Sequence, residues 1–154
     1  MGEVEGMAAR LAAARDRLRE SPLSDSHEPG PPDPKTGERW DRFNVLGHTA
    51  EMLPFWSREI RRALDRGDRM GREPGSAGRL EGIETGRLIG ERALRDRIEE
   101  GTVAALGLLA VLTDADLERE VETHTQGRIS LRHALEYYLV GHLEAHVGQL
   151  TELA

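Results

Sequence analysis

The sequence contains no cysteine, and its 21 basic residues are outnumbered by 28 acidic ones. Without cysteine the chain has no disulfide, no thiolate metal ligand and no cysteine nucleophile, so any sulfur chemistry must use a thiol from outside the chain. The net charge of −7 argues against a nucleic-acid surface, which needs a basic face.

Long apolar runs are missing from the start of the chain. Residues 1–18 are interrupted by charged side chains, so they predict neither a signal peptide nor a membrane anchor. We therefore expect a cytoplasmic protein with no membrane partner. A length of 154 residues is sufficient for one domain with its own core.

Apolar spacing of three and four residues predicts an all-α protein. The four predicted helices span residues 3–20, 38–65, 83–112 and 131–153. Residues 21–37 hold five of the seven prolines and predict a long connection, while the glycine-rich residues 66–82 predict a loop that covers one end of the domain. The simplest fold is one domain over residues 1–154, an antiparallel four-helix bundle in which the 21–37 connection is long enough for a crossover.

Smaller features refine this prediction. Residues 113–116 resemble a capping box that opens a short helical turn through Val121, and residues 123–129 predict an irregular or extended connection. The alternating Arg and Glu of residues 91–100 predict a solvated helix face. Residues 103–112 are apolar nearly all round the helix, so we expect them at the centre of the domain or in a homodimer interface.

His142 and His146 are the most informative residues, because a helix turns their spacing into two neighbouring imidazoles. At four residues apart they lie roughly 40° apart around the helix and about 6 Å apart along it. Such a pair can hold one transition metal when another element supplies a third ligand. Residue 143 is Leu and Glu144 points away from the pair, so the general base of a metalloprotease HExxH motif is missing.

His48 is the candidate third ligand. It shares a helical stripe with Val45, Met52 and Phe55, so it is expected to face the core, and Gly47 beside it leaves room near the ring. Each buried imidazole left unpaired costs about 1–3 kcal/mol, and one metal ion would satisfy all three histidines. The alternative is that each histidine finds its own carbonyl, carboxylate or water. No catalytic residue beyond the ligands is assigned.

The other three histidines are predicted to lie away from this site. His133 is nine residues before His142, on the opposite side of the same helix, and is expected to be solvated. His27 and His124 fall in predicted loops. Of these, His124 is a candidate for the mouth of the site.

Three passages resemble the DinB/YfiT-like superfamily of metal-dependent enzymes. They are residues 40–52 with His48, residues 112–119, and residues 141–150, in which the paired histidines are followed by Gln-Leu. The resemblance implies a DinB-like four-helix bundle, with His48, His142 and His146 as the metal ligands. It also implies a relationship to mycothiol- and bacillithiol-dependent transferases and to the N-terminal domain of mycothiol-dependent maleylpyruvate isomerase.

The sequence leaves three hypotheses about function open. The first is a transferase in which the histidines hold zinc or nickel, and the ion activates a low-molecular-weight thiol to attack a small-molecule electrophile. The second keeps the divalent ion but uses activated water, which makes the protein a hydrolase. The third is a non-catalytic bundle in a stress response, which binds a metal or small ligand or serves as a dimerisation module.

Overall fold

The computed structural model describes residues 1–24, 28–32, 34, 37–72 and 76–153, except for the side chains of residues 79, 83 and 85–87. The described part is mostly helical, as predicted. Its helices are α1 (Glu3–Glu20), α2 (Arg42–Arg66), α3 (Ala77–Ile89), α4 (Glu91–Ala110), α5 (Leu131–Leu135) and α6 (Gly141–Glu152). A 3-10 helix (Asp114–Glu118) and two strands, β1 (Glu120–Thr123) and β2 (Gly127–Ser130), lie between α4 and α5. A π-helical turn, Glu136–Val140, joins α5 to α6.

Helix α1 buries the apolar stripe that the spacing predicts. Its buried residues are Val4, Met7, Leu11, Ala14 and Leu18. The chain leaves the helix at Ser21, whose backbone N–H bonds the carbonyls of the last turn. The prediction of this helix from its 3.6-residue period is therefore confirmed.

Helix α2 begins later than predicted because Asp41 caps it. The Asp41 carboxylate accepts the backbone N–H of Asn44 at 2.9 Å, and the Asn44 side chain accepts the N–H of Asp41 at 3.2 Å. The helix continues through Pro54 and ends at Gly67, which has the left-handed φ of 72° that favours glycine. This long helix carries His48 into the core.

The predicted helix 83–112 is wrong as a single element. Gly90, with φ 82° and ψ 164°, separates α3 from α4, because a backbone in this region cannot continue a right-handed helix. The glycine-rich loop predicted for residues 66–82 is also shorter than expected, since α3 begins at Ala77. The solvated face predicted for residues 91–100 is present, with Arg92, Asp96, Arg97 and Glu100 exposed, but it does not include Glu91, which is buried.

The apolar half of α4 is only partly enclosed. Ala105, Leu108 and Leu109 are buried, whereas Val103 and Val111 are exposed. The segment therefore does not lie wholly inside the domain. A homodimer through this face stays a prediction.

The connection between α4 and α5 contains the predicted capping box. Thr113 accepts the backbone N–H of Asp116, and the Asp116 carboxylate accepts that of Thr113 at 2.8 Å. The helical turn ends at Glu118 rather than at the predicted Val121, and residues 120–130, which include those predicted as irregular or extended, form an antiparallel hairpin in which Glu120 pairs with Ser130. Met70 adds to its edge through hydrogen bonds with Glu122 and His124, so a small sheet accompanies the helices.

The buried face of the C-terminal helical segment shifts at the π-helical turn. The spacing of an unbroken α-helix over residues 131–153 would place Ala145 and Gln149 on the face of Leu131, Leu135 and Tyr138, but both are exposed. Beyond the turn the buried residues are Leu143, His146, Val147 and Leu150. A π turn accommodates one extra residue, which rotates the rest of the helix by about 100° relative to an unbroken α-helix. The core-facing positions therefore move by one residue.

Packing brings α2 and α6 together. Helix α2 contacts α3, α4 and α6, and α1 contacts α4 and α6. Buried side chains from these helices form one apolar core. Among the helices of the described residues, none combines the length and hydrophobicity needed to cross a bilayer.

Candidate metal centre

The three histidines predicted as metal ligands meet at one point, where α2 faces α6. One potential ligand atom from each of His48, His142 and His146 lies within 4.8 Å of the other two. The Nε2 atoms of His48 and His142 are 3.4 Å apart, and the ring centroids of the trio are separated by 4.5 to 5.3 Å. His48 and His146 are buried, and His142 is half-buried.

Hydrogen bonds orient two of the imidazoles. Nδ1 of His142 lies 3.2 Å from the backbone oxygen of Tyr138, and Nδ1 of His146 lies 2.6 Å from Oε1 of Gln149. A carbonyl oxygen can only accept, so each Nδ1 must carry the proton and donate it. In the neutral ring Nε2 then keeps its lone pair, which is the state a metal ligand needs.

The donor set fits a divalent transition metal. Metal–nitrogen distances of about 2.0–2.1 Å place the nitrogen atoms of a tetrahedral site roughly 3.3 Å apart. The separation of 3.4 Å between the Nε2 atoms of His48 and His142 agrees with this geometry. Three imidazoles suit zinc or nickel, and they leave at least one coordination position for an exogenous ligand.

The histidines lie in the wall of a cavity of about 570 Å³. This is within the usual range for small-molecule sites. Prolines of the 21–37 segment and Trp40 provide much of the remaining wall. The lining residues are Gly30, Pro31, Pro32, Pro34, Glu38, Trp40, Val45, His48, His142, His146, Gln149, Glu152 and Leu153.

The proline-rich connection therefore takes the covering role that the sequence had assigned to the glycine-rich one. The backbone N–H of Gly30 donates to the carbonyl of Trp40 at 2.9 Å, which ties Gly30 to the residue that precedes the cap of α2. In the described part of residues 66–82, no residue lines the histidine cavity. Gly47, expected beside the His48 ring, lines a separate cavity between α2, α3 and α4.

Trp40 also belongs to the site, although the sequence did not predict it there. Its ring meets His48 edge-on at 5.3 Å between centroids and lies nearly parallel to His146 at 6.3 Å. The indole thus forms an apolar wall beside two of the ligands. No signal in the sequence distinguishes this position from an ordinary buried tryptophan.

Gln149 and Glu51 were also missed, although their spacing carries a signal. Gln149 follows His146 by three residues, and Glu51 follows His48 by three residues. Residues three apart on a helix are neighbours, so a polar side chain there can reach the imidazole. The Oε2 atom of Glu51 lies 3.9 Å from Nδ1 of His48.

Of the remaining predictions about charged and histidine side chains, two agree with the structure, one does not, and one lies outside the described residues. Glu144 binds Arg10 at the surface, at 2.5 Å, which agrees with the prediction that it points away from the metal ligands. His133 is exposed and bonds Gln126 at 2.9 Å. His124 lies in the exposed turn of the hairpin and does not line the cavity, so the structure does not place it at the mouth of the site. His27 lies outside the described residues.

The charged side chains that line the cavity are acidic among the described residues. Among the described lining residues, Glu38 and Glu152 are the carboxylates, and no Arg or Lys is included. Neither carboxylate was predicted at the site, because both lie outside the helical spacing of the histidines.

Comparison with known proteins identifies no relative. A scan against protein-family models finds no match, and searches of curated proteins and of solved structures find none either. The assignment of a function therefore depends on the geometry of the histidine site.

Proposed function

We propose that this protein is a metal-dependent enzyme of the DinB/YfiT-like type, in which a four-helix bundle holds one divalent ion through His48, His142 and His146. One observation carries the proposal: the three imidazoles converge within 4.8 Å in the wall of a cavity large enough for a small molecule. Zinc or nickel is the proposed ion, since imidazole suits both. Two separate helices supply the ligands, so the folded core defines the site.

The proposed reaction is the transfer of a low-molecular-weight thiol, of the mycothiol or bacillithiol type, to an electrophile. A divalent ion held by three neutral ligands would lower the pKa of a thiol that binds beside it. In the transfer the thiol proton goes to solvent, the sulfur supplies the electron pair of a new carbon–sulfur bond, and the leaving group departs with the electron pair of the carbon bond that breaks. The chain has no cysteine that could compete for the ion or the electrophile. We place this activity in the cytoplasm, where small thiols are kept reduced.

The residues around the histidines would support this chemistry. Tyr138 and Gln149 fix the rings of His142 and His146 through their Nδ1 atoms, so the ligands are oriented before the ion binds. Trp40 and the prolines of the wall form an apolar surface on one side of the site, which would limit the access of water to a bound ion. A drier site strengthens the attraction between an ion and an anionic sulfur.

The test compares wild-type protein with His48→Ala and His142→Ala, all purified without a histidine tag. We expect near-stoichiometric zinc or nickel in the wild type by elemental mass spectrometry, and its loss in both variants. His133→Ala is the matched control, because His133 lies on the same helical segment as His142 but is exposed. It should keep the metal.

Thiol transfer is then followed with mycothiol or bacillithiol and chlorobimane, which releases chloride as the carbon–sulfur bond forms. We expect transfer by the loaded wild type and the His133 variant, and none above background in the His142 variant. Full activity in the His142 variant would eliminate the metal-dependent mechanism. So would a metal-free wild type that gains no thermal stability from added zinc or nickel, since a ligand that binds the folded state must stabilise it.

Glu38 and Glu152 favour one second candidate, a hydrolase that uses activated water. Both carboxylates line the histidine cavity, where a carboxylate could accept a proton from water. Hydrolysis of p-nitrophenyl esters by the loaded protein, with no thiol present, would favour this candidate. Glu38→Gln and Glu152→Gln would identify which carboxylate acts.

A further inference from the structure

Each of the three histidines has an oxygen atom facing its Nδ1. For His142 and His146 these oxygens belong to Tyr138 and Gln149, within hydrogen-bond distance. For His48 the oxygen is Oε2 of Glu51, at 3.9 Å. This last distance is within the range of an ion pair and longer than a hydrogen bond. The pattern raises the question of what Glu51 does for His48.

The Glu51 carboxylate is held in place by Arg72. Both carboxylate oxygens accept from the guanidinium, Oε2 at a distance of 2.5 Å and Oε1 at a shorter one. The guanidinium itself lies over the ring of Phe55, with Cζ 3.8 Å from the centroid. A bidentate contact of this kind fixes the plane of the carboxylate as well as its position. Glu51 is therefore a poor candidate for a group that moves during a reaction.

The aliphatic part of Glu51 is confined by α3. A Cβ added to Gly82 would lie 2.5 Å from Cγ and 2.6 Å from Cβ of Glu51, so only glycine allows α3 to approach this closely. The Glu51 side chain is only 20% exposed. Both ends of the side chain are thus restrained. Its carboxylate stays near His48, and little solvent reaches it to screen its charge.

We propose that Glu51 is a positioning residue for the metal centre, with Arg72 as its anchor. The negative carboxylate favours the form of His48 that carries its proton on Nδ1, facing Glu51. Nε2 then keeps the lone pair, and Nε2 is the atom that lies 3.4 Å from Nε2 of His142. Glu51 would thereby orient the His48 imidazole, as Tyr138 and Gln149 orient the other two ligands. This inference rests on the proposed metal site.

The first experiment reads the state of the His48 ring directly. Nitrogen-15 NMR of the full-length, metal-free His142→Ala protein, at about pH 8 where an unperturbed imidazole is neutral, distinguishes a proton on Nδ1 of His48 from one on Nε2. His142 is removed because its Nε2, 3.4 Å from Nε2 of His48, can accept a hydrogen bond from that atom when no metal is bound. We expect Nδ1–H for His48 in this variant and a mixture when Glu51→Ala is added. A His48 protonated on Nε2 in His142→Ala would overturn the proposal, so a Glu51 variant that fails to fold does not prevent the test.

The second experiment measures zinc affinity by competition with a chelating dye. Loss of a carboxylate that supports a ligating histidine typically weakens metal binding by roughly 10- to 100-fold, which is the effect expected for Glu51→Ala and, more weakly, for Arg72→Met. Asp65→Ala is the matched control, since Asp65 is an acidic residue on the same helix at an exposed site. Its affinity should equal that of the wild type. Unchanged affinity in Glu51→Ala would overturn the proposal.

The two experiments also separate this inference from the proposed function. A wild type that binds no zinc would remove the metal-dependent function, while the ring state of His48 in the metal-free protein would still decide whether Glu51 orients it. Zinc binding that is insensitive to Glu51, together with an unchanged ring state, would remove the inference and leave the three-histidine site intact.

Discussion

Arg42 is completely buried, with 0% of its surface exposed, although arginine is rarely found inside a protein without a partner. Its Nε donates to Glu91, and its other nitrogens donate to the carbonyls of Leu150 at 2.7 Å and Pro22 at 3.1 Å. Glu91 also accepts the backbone N–H of Ser24 at 2.8 Å. One ion pair therefore ties the beginnings of α2 and α4 to α6 and to the segment after α1.

Removing one member of this pair should cost far more than removing both. Arg42→Met leaves the buried Glu91 carboxylate with only Arg95, at 3.6 Å, as a counter-charge, and we expect the free energy of unfolding to fall by up to about 3–5 kcal/mol. Urea denaturation measures the loss. The double variant Arg42→Met with Glu91→Leu should recover much of it, because neither partner is then left charged in the core. A single variant as stable as the wild type would show that Arg95 alone compensates the Glu91 charge.

At the scale of the element, the π-helical turn requires glycine at position 141. The Gly141 N–H donates to the carbonyl of Glu136, five residues earlier. A Cβ added to Gly141 would lie 2.6 Å from that carbonyl oxygen, closer than real side chains come. The turn immediately precedes His142, so it sets the rotation at which both α6 histidines face the site.

Gly141→Ala should therefore disturb the helix and the metal centre together. We expect a loss of roughly 1–3 kcal/mol in the free energy of unfolding, the usual cost of overpacking, and weaker zinc binding. Gly148→Ala on α6 is the control, since nothing lies within 4 Å of the added Cβ. It should stabilise the protein by up to about 1 kcal/mol through helix propensity. Equal zinc affinity in the two variants would show that the geometry of the π turn does not affect zinc binding.

At the scale of the whole molecule, Asp114 joins the start of the chain to the connection after α4. Its carboxylate accepts the backbone N–H of Val4 at 2.9 Å and that of Glu3 at 3.1 Å. These bonds, that of Val4 above all, hold the pKa of Asp114 below its ordinary value. A helix N-terminus also favours a negative charge beside it.

This contact predicts how global stability depends on pH. An unfolded aspartate titrates near about pH 3.9, and the folded Asp114 titrates lower, so the stabilisation is complete above that pH and is lost as the pH falls through the folded pKa. The melting temperature of Asp114→Asn should therefore be lower than that of the wild type at neutral pH, and the difference should shrink in acid. Asp65→Asn, at an exposed site on α2, is the control. A difference that persists in acid would mean that the Asp114 charge is not its source.

The sequence by itself determined the features that depend on residues about one turn apart. The stripe of α1, the capping box at Thr113 and the pairing of His142 with His146 all follow from local spacing, because a helix brings such residues together whatever the rest of the chain does. The same logic indicated an inward-facing His48 on α2. Three of the residues that define the site could therefore be named in advance.

Only the tertiary structure decided which of these local features meet. The proximity of His48 to His142, the proline-rich wall of the cavity and the burial of Glu91 opposite Arg42 join residues far apart in the chain. Such contacts depend on how whole helices pack, and the spacing of residues along a single helix does not determine that packing. The break at Gly90 and the π turn before Gly141 also escaped the sequence pattern. One residue of altered backbone rotates everything after it, so these two positions changed which faces entered the core.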